Sequence, residues 1–190
     1  RGIPTAVVAA SADESSARRT QRLFSGPFFR VYTSSDPLGV EIGGAGKNVI
    51  ALAAGIIDGI GAGSNCKASL LTRGIVEIAR LGMAMGAEQE TFAGLAGLGD
   101  LVTTCISPVG RNRTAGEMIG RGMTLREVES ATASVIEGIA TTRSVLALAE
   151  RYHVEMPITQ GVYQVLYEGL RPMDAIAGLM SRQLKAEAVA

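Results

Sequence analysis

The chain has 190 residues, of which 47% are hydrophobic, and this composition is typical of a folded globular protein of one domain and part of another. Eighteen basic and 18 acidic residues give a formal net charge of +0, which argues against general nucleic-acid binding. Two cysteines and one histidine offer no disulfide framework and argue against a zinc site, so no metal site is predicted.

Two further features concern the boundaries of the chain. The apolar run Val49–Ile57 is shorter than the roughly 20 residues that cross a bilayer, so no membrane span is expected. No signal peptide opens the chain. It begins with Arg1 rather than Met, which favours a fragment or a processed product.

The first 37 residues have the pattern of a strand–helix–strand unit. Ile3–Ser11 is a short apolar run that predicts a buried strand. A helix over 14–24 and a second strand over Phe28–Thr33 follow it. Because about 35 residues cannot form a stable α/β domain alone, we interpret 1–37 as the last piece of a sheet whose earlier strands are missing.

Helical periodicity dominates from Leu38 onward, so residues 38–190 are predicted to form an all-helical domain, and the fold class is mainly α. Asn65 is predicted to cap the second helix, and on that helix Lys67 is expected on a solvated face. Glu77 has the spacing for ion pairs along the same helix face. The predicted helices cover 44–59, 66–85, 140–152, 159–167 and 171 to about 185, with one more opening at the capping box 124–127.

Lys47 stands at the head of a segment that has no polar face before Asp58. A helix that is apolar all round is a buried helix, so this lysine is expected to be partly desolvated. Burial disfavours the charged ammonium, and this is one way in which lysines come to act as acids or bases. The alternative is a lysine that extends from a helix end into water.

Asp100 lies among apolar residues in a segment, 91–104, that several glycines interrupt. A buried carboxylate needs a partner, and Lys47 is the candidate. The alternative makes Asp100 the N-cap of a helix that starts at Leu101. The residues alone do not separate these two interpretations.

Two weaker signals follow. Gly110, Arg111 and Asn112 combine a guanidinium, a carboxamide and glycine backbone, which suits an oxygen-rich anion such as phosphate. Glu137, taken by itself, is predicted to be a surface acid. Neither a complete phosphate loop nor a complete dinucleotide fingerprint occurs in the chain.

Several separate motifs, in the same order and at the same spacing, resemble the bacterial type of NAD(P)-dependent sn-glycerol-3-phosphate dehydrogenase. The resemblance covers nearly the whole chain. The motifs are 46–55, 67–74, 94–101, 111–113 and 137–138.

This resemblance implies the fold and the function. Residues 1–37 would be the end of a Rossmann domain, and 38–190 an all-helical substrate domain similar to the C-terminal domain of 6-phosphogluconate dehydrogenase. The implied reaction interconverts sn-glycerol 3-phosphate and dihydroxyacetone phosphate with NAD or NADP. The reaction would supply glycerol 3-phosphate for phospholipid synthesis. The enzyme would be a cytoplasmic homodimer, and this chain would be inactive alone.

The resemblance also implies roles for single residues. Lys47 would be the general acid and base, with Asp100 as a substrate-site acid and Thr104 as a hydroxyl near the substrate. Arg111 and Asn112 would bind the phosphate end.

Further implied contacts involve the cofactor and one departure from the family. Arg111, Val135 and Glu137 would touch the nucleotide. Gly110, also placed in the substrate site, stands where bacterial relatives usually have Ser. A hydroxyl contact is therefore lost, although the backbone N–H is expected to remain as a donor.

A different class of function is a helical dimerisation or interaction domain of another hydroxy-acid dehydrogenase. That hypothesis predicts that Lys47, Asp100 and Arg111 do not come together in the fold.

Overall fold

The computed structural model describes residues 2–184, and the mainly helical fold with one β-α-β unit at its start is confirmed. The elements in this range are β1 (Thr5–Ala10), α1 (Glu14–Phe24), β2 (Phe29–Ser34), α2 (Pro37–Ile60), α3 (Gly63–Met85), α4 (Gln89–Ala93), a π-helical turn (Leu95–Gly99), α5 (Asp100–Ile106), α6 (Arg111–Gly120), α7 (Leu125–Ala131), α8 (Glu137–Arg151), α9 (Pro157–Tyr167) and α10 (Pro172–Met180).

The two strands form a small parallel sheet, with Thr5 opposite Phe29 and Ala10 opposite Ser34. The prediction that the first strand is buried is wrong, because its residues are exposed or half-buried. In β2 only Val31 is buried. The physical reason is that the described sheet has two strands, and its faces are only partly covered by α1 and the π-helical turn.

Helix α2 begins at Pro37, seven residues before the predicted start at position 44. Asp36 caps it, and Pro37 occupies the first turn, where its missing N–H is not needed. The central residues Val49–Ile57 are all buried. They pack against α3, α5, α6, α8 and α9, so α2 is the central helix of the domain.

This length corrects the expectation about membranes, which considered only Val49–Ile57. By length and composition alone, the 24-residue helix α2 could cross a membrane, because an 18-residue window within it has a mean hydropathy of 1.4. However, 61% of that apolar window is buried inside the protein, as in the core helix of a globular domain. It is therefore weak evidence for a membrane span.

Helix α6 was not predicted, and it crosses α2 at very short range. A Cβ atom on Gly55 of α2 would overlap the Arg113 carbonyl oxygen, and one on Gly116 of α6 would overlap that of Leu52. Gly59 and Gly120 meet in the same way one turn further along. The two backbones therefore touch directly, which only glycine permits.

The remaining boundaries differ from the predictions by a few residues. Asn65 lies inside α3, which starts at Gly63 without a side-chain cap, so its predicted role as a cap is wrong. The capping box of Thr124 and Glu127 is confirmed. Helix α10 ends at Met180, and position 185, where its end was predicted, lies outside the described residues.

Glu77 on α3 is buried, with 3% of its surface exposed. Its carboxylate accepts hydrogen bonds from the Ile158 and Thr159 amides and from the Thr159 hydroxyl, so it caps α9 from a different helix. Burial raises the pKa of Glu77, and these hydrogen bonds act in the opposite direction.

The crossing of α2 and α6 predicts opposite effects for two glycines of one helix. Gly55→Ala should lower the free energy of unfolding by about 1–3 kcal/mol, because the added methyl group would overlap the backbone of α6. Gly44→Ala is the control, because it has open space around it, and it should raise the stability by about 0.5–1 kcal/mol. Urea unfolding measures both, and equal effects would contradict this account.

Candidate active site

Lys47 and Asp100 form an ion pair between the middle of α2 and the first residue of α5. Their side chains are 21% and 39% exposed. The N-cap of α5 is Gly99, without a side-chain hydrogen bond, so the interpretation of Asp100 as an N-cap is wrong. The structure thus favours the pair over a lysine that only extends into water.

Thr104 lies one helical turn after Asp100 on α5. Its hydroxyl donates to the Asp100 backbone carbonyl oxygen at 2.7 Å, and it lies 3.5 Å from the Asp100 carboxylate. The structure therefore brings Lys47, Asp100 and Thr104 together. These three residues place a cation, a carboxylate and a hydroxyl group close together.

Asn112 connects this place to two other helices. Its Nδ2 donates to Asn48 Oδ1 at 2.9 Å, and its Oδ1 accepts from the Gly138 amide at 2.8 Å. Because the side chain is buried and both ends are engaged, one amide hydrogen is left for a ligand. Sequence reasoning missed the role of Asn48, although its position beside Lys47 could have indicated it.

Arg111 and Glu137 begin α6 and α8 and form an ion pair of 2.5 Å. More than half of the Arg111 side chain is exposed, so the guanidinium can reach a ligand. No side chain caps α6, and free amides at a helix N-terminus suit an anion. Val135 lies two residues before Glu137 and is 75% exposed.

One expectation at this end is wrong. The Gly110 amide donates to the Ser107 carbonyl oxygen at 3.3 Å, so it is already engaged within the chain. The turn between α5 and α6 brings Gly110 back toward α5, and a Cβ atom on Gly110 would lie 3.3 Å from the Thr104 carbonyl oxygen. Gly110 therefore joins the surroundings of Thr104 to the start of α6.

A second ion cluster was missed. Asp58 accepts from both Lys67 and Arg113 at 2.6 Å, and Arg113 also lies 3.4 Å from Glu117. The prediction of a solvated Lys67 is therefore wrong, because about a fifth of its side chain is exposed. Arg113 points to this cluster and not to the Arg111 end, and it links α2, α3 and α6.

The side chains of Lys47, Asp100 and Arg111 are 21%, 39% and 54% exposed. Four cavities among residues 2–184 lie elsewhere, and none of these four is lined by any of the three residues. The largest of them, about 570 Å³, lies beside β1, β2 and α1.

Comparison with known proteins bears on the family of this chain. Residues 36–177 match the family model described as NAD-dependent glycerol-3-phosphate dehydrogenase C-terminus. The chain belongs to this glycerol-3-phosphate dehydrogenase family. The resemblance inferred from the motifs is thereby confirmed.

Relatives within the dehydrogenase family are longer than this chain. Glycerol-3-phosphate dehydrogenase [NAD(P)+] of Geobacter metallireducens is 58% identical over 185 residues, which are 97% of this chain and 55% of the relative. The crystal structure of glycerol-3-phosphate dehydrogenase from Coxiella burnetii is 43% identical with a TM-score of 0.91, over 95% of this chain and 56% of that one. The chain thus spans about half the length of the relatives it matches.

A more distant member of the dehydrogenase family has the same fold. The structure of glycerol-3-phosphate dehydrogenase from Saccharomyces cerevisiae is 26% identical, with a TM-score of 0.83 over 95% of this chain and 55% of that one. The helical arrangement that places Lys47 beside Asp100 is therefore retained at low sequence identity.

The cluster around Asp58 predicts a dependence of stability on pH. Burial alone would raise the pKa of Asp58, but hydrogen bonds from Lys67 and Arg113 outweigh this and lower it from its usual 3.8. Because the pKa is lower in the folded state, the ionised Asp58 stabilises the fold at pH values above the pKa of the unfolded state. This contribution is lost as the pH falls through the pKa of the folded state. The difference in free energy of unfolding between wild type and Asp58→Asn should be largest near pH 7 and shrink below about pH 4.

Urea unfolding over that pH range tests the prediction. Asp174→Asn is the control, because it removes an exposed ion pair with Arg171, and such pairs contribute about 0–1 kcal/mol. An Asp58→Asn effect that does not change with pH would contradict the role of the charge.

Proposed function

We propose that this chain is the substrate-binding part of an enzyme that interconverts sn-glycerol 3-phosphate and dihydroxyacetone phosphate with NAD or NADP. The observation that carries the proposal is the Lys47–Asp100 ion pair beside the Asn48–Asn112 hydrogen bond. Membership of the dehydrogenase family and the names of the relatives support the substrate. An interaction module gives no reason for this convergence.

Lys47 is the general acid and base of the proposed reaction. Reduction of the ketone adds a hydride to the carbonyl carbon and a proton to the carbonyl oxygen, and the bound nicotinamide supplies the hydride. The Lys47 ammonium donates the proton, and in the reverse direction the neutral amine removes the proton of the substrate hydroxyl. Asp100 holds the lysine Nζ in place and accepts a hydrogen bond from a substrate hydroxyl, with the Thr104 hydroxyl beside it.

The start of α6 is the proposed phosphate end of the substrate. Arg111 offers a planar guanidinium that can bind two phosphate oxygens at once. Asn112 contributes its remaining amide hydrogen, and the uncapped amides of α6 add a positive field. Gly110, directly before Arg111, would join this phosphate end to the surroundings of Thr104.

The described residues suit one edge of a dinucleotide and not the whole of it. Arg111 can also pair with a nucleotide phosphate, Glu137 can accept from hydroxyl groups, and the exposed Val135 offers an apolar contact. These three residues would hold the cofactor from the substrate side. The rest of its binding site would lie in a nucleotide-binding domain, of which residues 1–37 are the last part.

The length of the relatives and the open sheet support this division at residue 37. A two-stranded sheet with exposed aromatic side chains, such as Phe29 and Tyr32, is too small to be stable alone. Further strands would cover it in the complete enzyme. The complete enzyme would act in the cytoplasm as a homodimer and supply glycerol 3-phosphate for phospholipid synthesis.

Replacing Lys47 tests the acid–base role in the full-length enzyme. Lys47→Met should lower kcat by about a hundredfold to ten-thousandfold, because the proton donor is lost. Binding of NADH, followed by its fluorescence, should persist. Turnover close to that of wild type would contradict the assignment.

Lys67→Met is the matched control for this experiment. Lys67 is as buried as Lys47 and is also paired with an aspartate, but it lies in the Asp58 cluster. The Lys67→Met variant should be less stable than wild type and keep the wild-type kcat. A loss of kcat as large as that of Lys47→Met would indicate that any buried ion pair is needed.

The chain alone should not oxidise NADH in the presence of dihydroxyacetone phosphate, because most of the proposed nucleotide site is missing from it. A spectrophotometric assay that follows NADH absorbance in the presence of the purified chain measures this. The control is the full-length enzyme at the same molar concentration. Turnover by the chain alone would show that a separate nucleotide domain is not needed.

A further inference from the structure

Asp36 is a buried carboxylate at the junction between the β-α-β unit and the helical domain. It is 5% exposed and follows β2 by two residues. Its Oδ1 accepts from the Gly39 amide at 2.8 Å, while its Oδ2 accepts from the Glu88 amide at 2.9 Å and the Thr91 hydroxyl at 2.7 Å. One side chain therefore fixes two distant points of the chain.

These two points are the starts of the segments that carry Lys47 and Asp100. Gly39 lies in the first turn of α2, and Lys47 follows two turns later on the same helix. Glu88 and Thr91 begin α4, which leads through the π-helical turn directly to Asp100. The two segments are about 50 residues apart along the chain, and they meet at the Lys47–Asp100 ion pair.

A backbone contact joins the two segments between these ends. A Cβ atom on Gly43 would lie 3.0 Å from the Ala96 carbonyl oxygen, so α2 and the π-helical turn are closely packed there. The two segments are thus joined by three contacts: the Asp36 carboxylate, the Gly43 contact and the Lys47–Asp100 pair. Because the two segments are closely packed, a displacement at Asp36 would be transmitted to the Lys47–Asp100 pair.

We propose that Asp36 is a positioning residue for the Lys47–Asp100 pair. Its carboxylate sets the separation of α2 from the segment that carries Asp100, and thereby the place of the proton donor. The inference rests on the proposed function only in the catalytic consequence, because the geometric part concerns the pair itself. Burial acts to raise the pKa of Asp36, but the hydrogen bonds from Thr91, Gly39 and Glu88 outweigh it, so the group is held as a carboxylate.

Asp36→Asn distinguishes the role of Asp36 as the N-cap of α2 from its role in connecting α2 to α4. Asn is as good an N-cap as Asp, so its Oδ1 can still accept from Gly39. Its NH₂ group would then face the Glu88 amide donor against donor, so that hydrogen bond to the start of α4 would be lost, while the Thr91 hydroxyl can rotate to accept from the NH₂ group. Thr91→Val is a milder variant that removes one donor and keeps the shape of the side chain, and it serves if Asp36→Asn does not fold.

Glu77→Gln is the matched control. Glu77 is equally buried, and it also accepts from two backbone amides and one threonine hydroxyl, but it caps α9. Its loss should destabilise the protein without moving Lys47 relative to Asp100. Any general effect of removing a buried carboxylate appears in this variant as well.

The experiment compares steady-state kinetics of the full-length enzyme and its variants at a temperature at which all are folded. Asp36→Asn should lower kcat by about tenfold to a hundredfold, Thr91→Val by about threefold to tenfold, and neither should change the KM for NADH more than about twofold. Glu77→Gln should keep kcat within about twofold of wild type. Equal kcat values for Asp36→Asn and Glu77→Gln, or a wild-type kcat for Thr91→Val, would overturn the inference.

Crystal structures of Asp36→Asn and Glu77→Gln supply a readout that does not depend on activity. The Cα atoms of Lys47 and Asp100 should move relative to each other by about 1 Å in the first variant and stay in place in the second. An unchanged pair in Asp36→Asn would overturn the inference even if the enzyme used another substrate. If Lys47→Met keeps full turnover while Asp36→Asn displaces the pair, the proposed acid–base role fails and the positioning role stands.

Discussion

The arrangement of this protein depends on the direct contact between the backbones of α2 and α6. Four glycines, two on each helix, remove the side chains that would hold the helices apart. Helices usually pack 8–10 Å apart because of their side chains, and here the carbonyl groups themselves form the contact surface. As a result, Asn112 at the start of α6 reaches Asn48, which follows Lys47 on α2. The acid–base end and the phosphate end of the proposed site are therefore parts of one rigid crossing.

Buried and half-buried carboxylates hold the rest of the bundle around this crossing. Asp58 joins α2 to α3 and α6 through Lys67 and Arg113, and Glu77 joins α3 to the start of α9. Asp36 joins the start of α2 to α4. In each case the donors come from more than one element, so the hydrogen bonds orient whole helices. An apolar contact would allow sliding, whereas these directional bonds fix the position along the helix axis.

The sequence predicted the elements that have strong local signals and missed those that depend on tertiary contacts. The capping box at Thr124 and the Gly86 terminus of α3 could be read locally. The first turns of α2 and the whole of α6 could not, because their glycines lower helix propensity, and the compensating contact lies more than 50 residues away. The Lys67–Asp58 pair spans only nine residues and was missed for a different reason: it joins α2 to α3 across their turn, and periodicity within one helix does not indicate such a pair. Lys47 and Asp100 could be proposed as partners because a lysine at a buried helix and an acid among apolar residues each need one.

The close crossing also restricts how the length of α2 can change during evolution. Lys47 and Gly55 lie eight residues apart on one uninterrupted helix. Insertion or deletion of one residue between them would turn Lys47 by about 100° around the helix axis relative to α6 and shift it by about 1.5 Å. The lysine would then point away from Asp100, although every side chain of the segment had been kept. A change in the number of residues between 47 and 55 would therefore disturb the site more than a conservative substitution within that segment.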